Sequence, residues 1–145
     1  MKKQGIAFYL NTVAAVLGVA GMALAMYSNS ISSDNALQNM GLVATAGIVA
    51  ILLVIVSIVA PNRFGNHDPI SAVSVLGAIA LYSYVFGQCI IQRVMLVAGL
   101  FSFNSGNTAG WQVFYVTIAA VACLLVGTLF LIVGSFCKSV KTANA

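Results

Sequence analysis

Four long apolar runs separated by three short polar connectors set the pattern of this chain, and they cover residues 5–27, 37–60, 70–103 and 111–137. Each run is long enough, at about 1.5 Å per helical residue, to cross a hydrocarbon layer of about 30 Å. Inside such a layer the backbone must satisfy its own hydrogen bonds, so each run is read as a helix. Short connectors make successive helices antiparallel neighbours. The pattern therefore predicts an all-α membrane protein, a single transmembrane domain over residues 1–145 folded as an antiparallel bundle of four helices.

The third run departs from the others. ISAVSVLGAIALYSYVFGQCIIQRVMLVAGLFSF would be about 51 Å long as one helix, and it carries Gln88, Gln92 and Arg93 in its second half. That is too long and too polar for a plain anchor. Beyond Arg93, the apolar residues VMLVAGLFSF overshoot the bilayer. Strong tilt, a fold back along the interface, or docking on a second protein would each cover them.

The connectors supply the helix boundaries. SNSISSDN at 28–35 reads as a polar turn, with Ser33 or Asp34 capping the second helix. Pro61 is expected to end that helix. Asp68 before Pro69 reads as a cap with proline at the first helical position. Phe101, Phe103 and Trp111 form an aromatic belt at one interface, Phe8 and Tyr9 at the other. The start, MKKQGIAFYLNTVAAVLGVAGMALA, has the lysines and Ala23-Leu24-Ala25 triplet of a signal peptide. Its apolar stretch exceeds the usual 7–15 or so residues, which favours an uncleaved first helix.

Composition makes the bilayer the solvent. The chain is 61% hydrophobic and 6% charged, against about 25% charged in soluble domains. The net charge of +4 does not point to nucleic acid, because the basic residues mark topology. Lys2, Lys3, Arg63, Lys138 and Lys141 flank one side of the bundle, and the connectors on the other side hold no Lys or Arg. The positive-inside rule then puts both termini and the Arg63 loop in the cytoplasm. So strong a bias argues against dual-topology exporters. Cys89, Cys123 and Cys137 fall at different depths, so they read as buried small hydrophobes and not as a disulfide.

Two kinds of residue stand out as candidates. Gln88 and Gln92 share a face of the third helix, and Arg93 lies about 100° round from Gln92. A snorkelling Arg93 near a helix end is the simpler reading. The sharper one is a polar cluster in the outer leaflet: Arg93 paired with Asp34, the acid available on that side, and joined by Gln38, Asn39 and Gln112. The second set is small residues for close helix packing, Gly18 and Gly21 with Ala14 and Ala25 on the first helix, and Ala119, Cys123 and Gly127 on the fourth. Asn11 is expected to bond a neighbouring helix. FYVTIAAV in the fourth helix echoes FYLNTVAAV in the first, which would be an inverted repeat if the other two helices shared it; they do not.

Other chemistry is missing from the pattern. His67 is the single histidine, and metal sites need three or four ligands. No carboxylate lies within a predicted span, and no phosphate loop or nucleophile with a base occurs, so neither enzyme nor cofactor is expected.

The lysine start running into IAFYLN, the Arg93 on a long third helix and the ending SFCKSVK resemble a group of small four-helix membrane proteins of anaerobic gut bacteria. The resemblance implies bacterial origin, the plasma membrane and four spans, and it carries no assigned activity. The expected function is that of a non-enzymatic accessory or assembly protein, binding a membrane partner or copies of itself through the polar cluster and the apolar end of the third helix, with membrane lipids around it. The alternative is an oligomeric channel or anion carrier using Gln88, Gln92 and Arg93.

Overall fold

The computed structural model describes residues 4–65 and 69–140, apart from the side chain of Asn35. It is a bundle of four helices: α1 (Ile6–Ile31), α2 (Met40–Phe64), α3 (Pro69–Ser102) and α4 (Thr108–Ser135). All four are long and apolar enough to cross a membrane. Large Val, Ile and Leu side chains stay exposed along every helix, for example Val16, Leu52, Leu76 and Leu129. Such a surface is stable against lipid and not against water.

Packing runs round a square. α1 lies most extensively on α4 and α2 on α3, with α3 on α4 and α1 on α2 closing the ring. Small residues set the closest approaches. A Cβ at Gly21 would stand 2.7 Å from Leu124 Cγ, and one at Gly47 would collide with the Met22 thioether. The centre is filled by Val54, Tyr82, Val85 and Leu124, all fully buried. At one end the start of α1 meets the segment after α4: Gly5 N–H donates to Ser139 C=O at 2.8 Å and Ala7 N–H to Lys138 C=O at 3.3 Å. A side chain at Gly5 would run into the Lys138 carbonyl.

Three boundaries of α1 and α2 differ from expectation. α1 continues through Ser28 and Ser30 to Ile31, and each hydroxyl is satisfied by a carbonyl of its own helix at 2.8 Å. Ser33 and Asp34 do not cap α2; they belong to a separate 3₁₀ turn, Ser33–Asn35, and α2 starts after Asn39, whose backbone is left-handed at φ 55°. Pro61 does not end α2, which runs on to Phe64. Proline lacks the N–H that would bond Ser57 C=O. That carbonyl instead accepts the Ser71 hydroxyl of α3 at 3.3 Å, so the missing bond is replaced from a neighbouring helix.

α3 is one continuous helix over its whole length. It neither breaks nor folds back after Arg93. Its last turns are covered on one flank by α4, where Leu100 is buried against Gly110 and Phe101 meets Trp111 and Phe114 edge-on at 5.2 and 5.9 Å. Asn107 caps α4, accepting from Gly110 N–H at 2.9 Å, so the helix begins at Thr108, one turn before the apolar run. His67, Asp68, Lys2, Lys3 and Lys141, to which loop and topology roles are attached above, lie outside the described residues.

Candidate functional site

The candidate polar residues separate onto two faces of α3. Gln92 points to α2: its Oε1 accepts from Gln38 N–H at 2.6 Å, and its Nε2 donates to Gln88 Oε1 at 2.9 Å. These glutamines therefore tie the start of α2 to α3 and satisfy each other. Gln112 is exposed near the start of α4, and among the described residues no hydrogen bond joins it to them.

Arg93, one residue further round, faces α4. It is 3% exposed, so it does not snorkel along the bundle surface. Asp34 is exposed on the 3₁₀ turn, and among the described residues no ion pair joins it to Arg93. The expected pair is absent because the turn carrying Asp34 follows α1 and leads to α2, the side of α3 away from the guanidinium. Arg93 Nε and Nη2 are buried without a hydrogen-bond partner. Burying unpaired donors of a cation is costly.

A second orphan lies beside it. Thr117 of α4 is 7% exposed, and its hydroxyl also lacks a partner. Thr128, eleven residues on, shows the ordinary solution, bonding Leu124 C=O of its own helix at 2.8 Å. Arg93 and Thr117 line one groove of about 710 Å³ between α3 and α4, with Cys89, Val97, Val121 and Leu125 among its walls. No other lining side chain carries nitrogen or oxygen. Half-exposed Ile90, Val94 and Ile118 form its lips, so the groove opens sideways out of the bundle. Thr117 is absent from the sequence-derived cluster because threonine in an apolar helix usually satisfies itself on its own backbone.

The register places this groove in the bilayer. Lipid-facing Tyr9 and Tyr27, both more than half exposed, stand about 27 Å apart along α1, close to the thickness of a hydrocarbon core. Gly21 packs on Ala120 and Leu124, and Gly134 on Asn11, which sets Tyr27 level with Thr117 and Ile118. Leu100 against Gly110 brings Arg93 to the same level. Arg93 and Thr117 thus sit level with Tyr27, about 9 Å along α4 from Trp111 toward the middle of the bundle.

The packing candidates divide. Gly18, Gly21 and Gly127 are buried at helix contacts. Ala119 is exposed and Cys123 half-buried; the buried stripe of α4 runs instead through the next residues, Ala120 and Leu124, to Gly127. The α1 and α4 echo does not put equivalent residues on equivalent faces: Ala14 is buried where its counterpart Ala119 is exposed, and Thr12 is exposed where Thr117 is buried. Asn11 Nδ2 donates to Ser57 Oγ at 3.3 Å. The three cysteines are free, and among the described residues no three His, Cys, Asp or Glu side chains gather where a metal would bind.

Fold and site together define a four-helix membrane bundle with a buried, unpaired arginine beside a lipid-facing groove. No family model matches the chain, and neither the curated proteins nor the solved structures yield a match.

Proposed function

We propose that this chain is a non-enzymatic integral membrane accessory protein of the bacterial plasma membrane, both termini cytoplasmic, which associates with a membrane partner or with copies of itself through the outer end of α3. The observation that carries the reading is the overhang of α3. Gln38 N–H bonds Gln92, so α2 begins at that level and leaves the rest of α3 without it. α4 covers one flank. On the other, Ile91 is 68% and Met95 82% exposed, and from Arg93 to Ser102 the helix rises about 13 Å beyond the level of Tyr27. Apolar side chains held there gain by meeting another protein.

The mass of the complex extracted in mild detergent, with every co-purifying chain identified, tests this. A stoichiometric second chain or a defined homo-oligomer is expected, weakened by Met95→Glu. A lone monomer would overturn the reading.

The burial of Arg93 also favours a second reading, an oligomeric channel or anion carrier. Tyr82, Val85 and Leu124 fill the middle of the bundle, so such a path would run between copies. Anion flux in vesicles that disappears in Arg93→Ala would establish it; flux unchanged by that substitution would remove it.

A further inference from the structure

We infer that the groove between α3 and α4 is a binding site for an anionic membrane lipid, with the lipid's negative group on Arg93 and Thr117 and one acyl chain lying along the groove toward the bilayer centre. Acyl chains are as apolar as the groove walls, so burial alone would select no particular lipid. Selection must come from the polar pair. Arg93 Nε and Nη2 form one edge of the guanidinium, the fork that grips two oxygens of a phosphate or carboxylate, and both are buried without a partner. Thr117, whose hydroxyl is likewise buried without a partner, lines the same groove and would supply a third donor.

Depth and length agree with a lipid. The two residues sit at the Tyr27 level, where a headgroup meets the hydrocarbon. From Thr117 to Val126 the groove continues inward for about 13 Å, close to one leaflet of a layer about 30 Å thick. Its volume of about 710 Å³ falls within the range of small-ligand sites.

A second copy of the chain fits less well. The two acidic residues, Asp34 and Asp68, both lie in connectors, so a neighbouring copy offers no carboxylate along its spans to neutralise Arg93. Ile91 and Met95, which carry the docking reading above, are each about 200° round α3 from Arg93. The two surfaces are therefore separate, and the lipid site stands whether or not α3 docks.

The test is native mass spectrometry of the full chain in neutral detergent with added phosphatidylglycerol, phosphatidylcholine of the same acyl chains, or oleate. Phosphatidylglycerol is expected to be retained about tenfold over phosphatidylcholine, a difference of about 1.4 kcal/mol. Arg93→Gln removes the charge at similar size, and Ala122→Trp fills the groove from an exposed position without touching the core. Both should erase the preference. Equal retention of the two phospholipids, or a preference that survives Ala122→Trp in a protein of parental melting temperature, would overturn the site. Retention of oleate with no preference between the phospholipids would also overturn it, assigning the groove to a free carboxylate.

Discussion

The Tyr82 hydroxyl of α3 occupies the space that a side chain at Gly18 of α1 would need. The ring crosses the diagonal of the bundle, is fully buried, and its hydroxyl donates to Ala14 C=O at 3.4 Å. Gly127 flanks the same ring, 3.8 Å from the position of its own missing Cβ. Gly18 of α1 thus makes the slot for the tyrosine of α3, and Gly127 of α4 lines it at ordinary contact distance.

Gly18→Ala should destabilise the bundle by about 1–3 kcal/mol, the usual cost of overpacking a filled core. Tyr82→Leu, which withdraws the hydroxyl end, should reduce that penalty when the two changes are combined. Thermal unfolding in detergent, analysed as a double-mutant cycle, reads the coupling. Additive effects would show that the slot is not what requires glycine at 18.

Asp34 and Arg93 should be energetically independent. Asp34→Ala is expected to change stability by less than about 0.5 kcal/mol, as for an exposed residue with no partner. Exchanging the two charges should rescue nothing, because the guanidinium faces α4 and the acid lies on the turn before α2. Recovery of stability in the exchanged variant would restore the ion pair.

Ser71→Ala should cost about 1 kcal/mol, since it leaves Ser57 C=O without the bond that replaces the one lost to Pro61. In a Pro61→Ala background that cost should shrink, because alanine supplies the N–H within α2. Unfolding of the two single variants and the double variant measures the difference.

Gln92→Leu should lower stability by about 1 kcal/mol and leave the lipid preference unchanged. The amide joins Gln38 N–H to Gln88 and stands on the α2 side, whereas the groove lies on the α4 side. Loss of lipid preference in this variant would mean that the two faces are one site.

The sequence by itself determined the number of helices, their lengths within about a turn, and the bilayer as their solvent, because those follow from apolar run length and the scarcity of charge. It also marked Gly18, Gly21 and Gly127 as close contacts, since only small residues let membrane helices approach. The stop at Pro61 was misleading because a proline-freed carbonyl can be satisfied by another helix, and a local pattern does not see Ser71. The stripe Ala119, Cys123 and Gly127 misses the buried Ala120 because α4 is apolar all round, which leaves its buried face unmarked in the sequence. Which way Arg93 turns was decided only by the tertiary structure. Gln92 and Arg93 are adjacent in the chain, yet the 100° step of the helix sends one to α2, where its amide is satisfied, and the other to α4, where Thr117 waits at the same depth. That pairing depends on the register between two antiparallel helices, and register is set by side chains packing across the whole bundle.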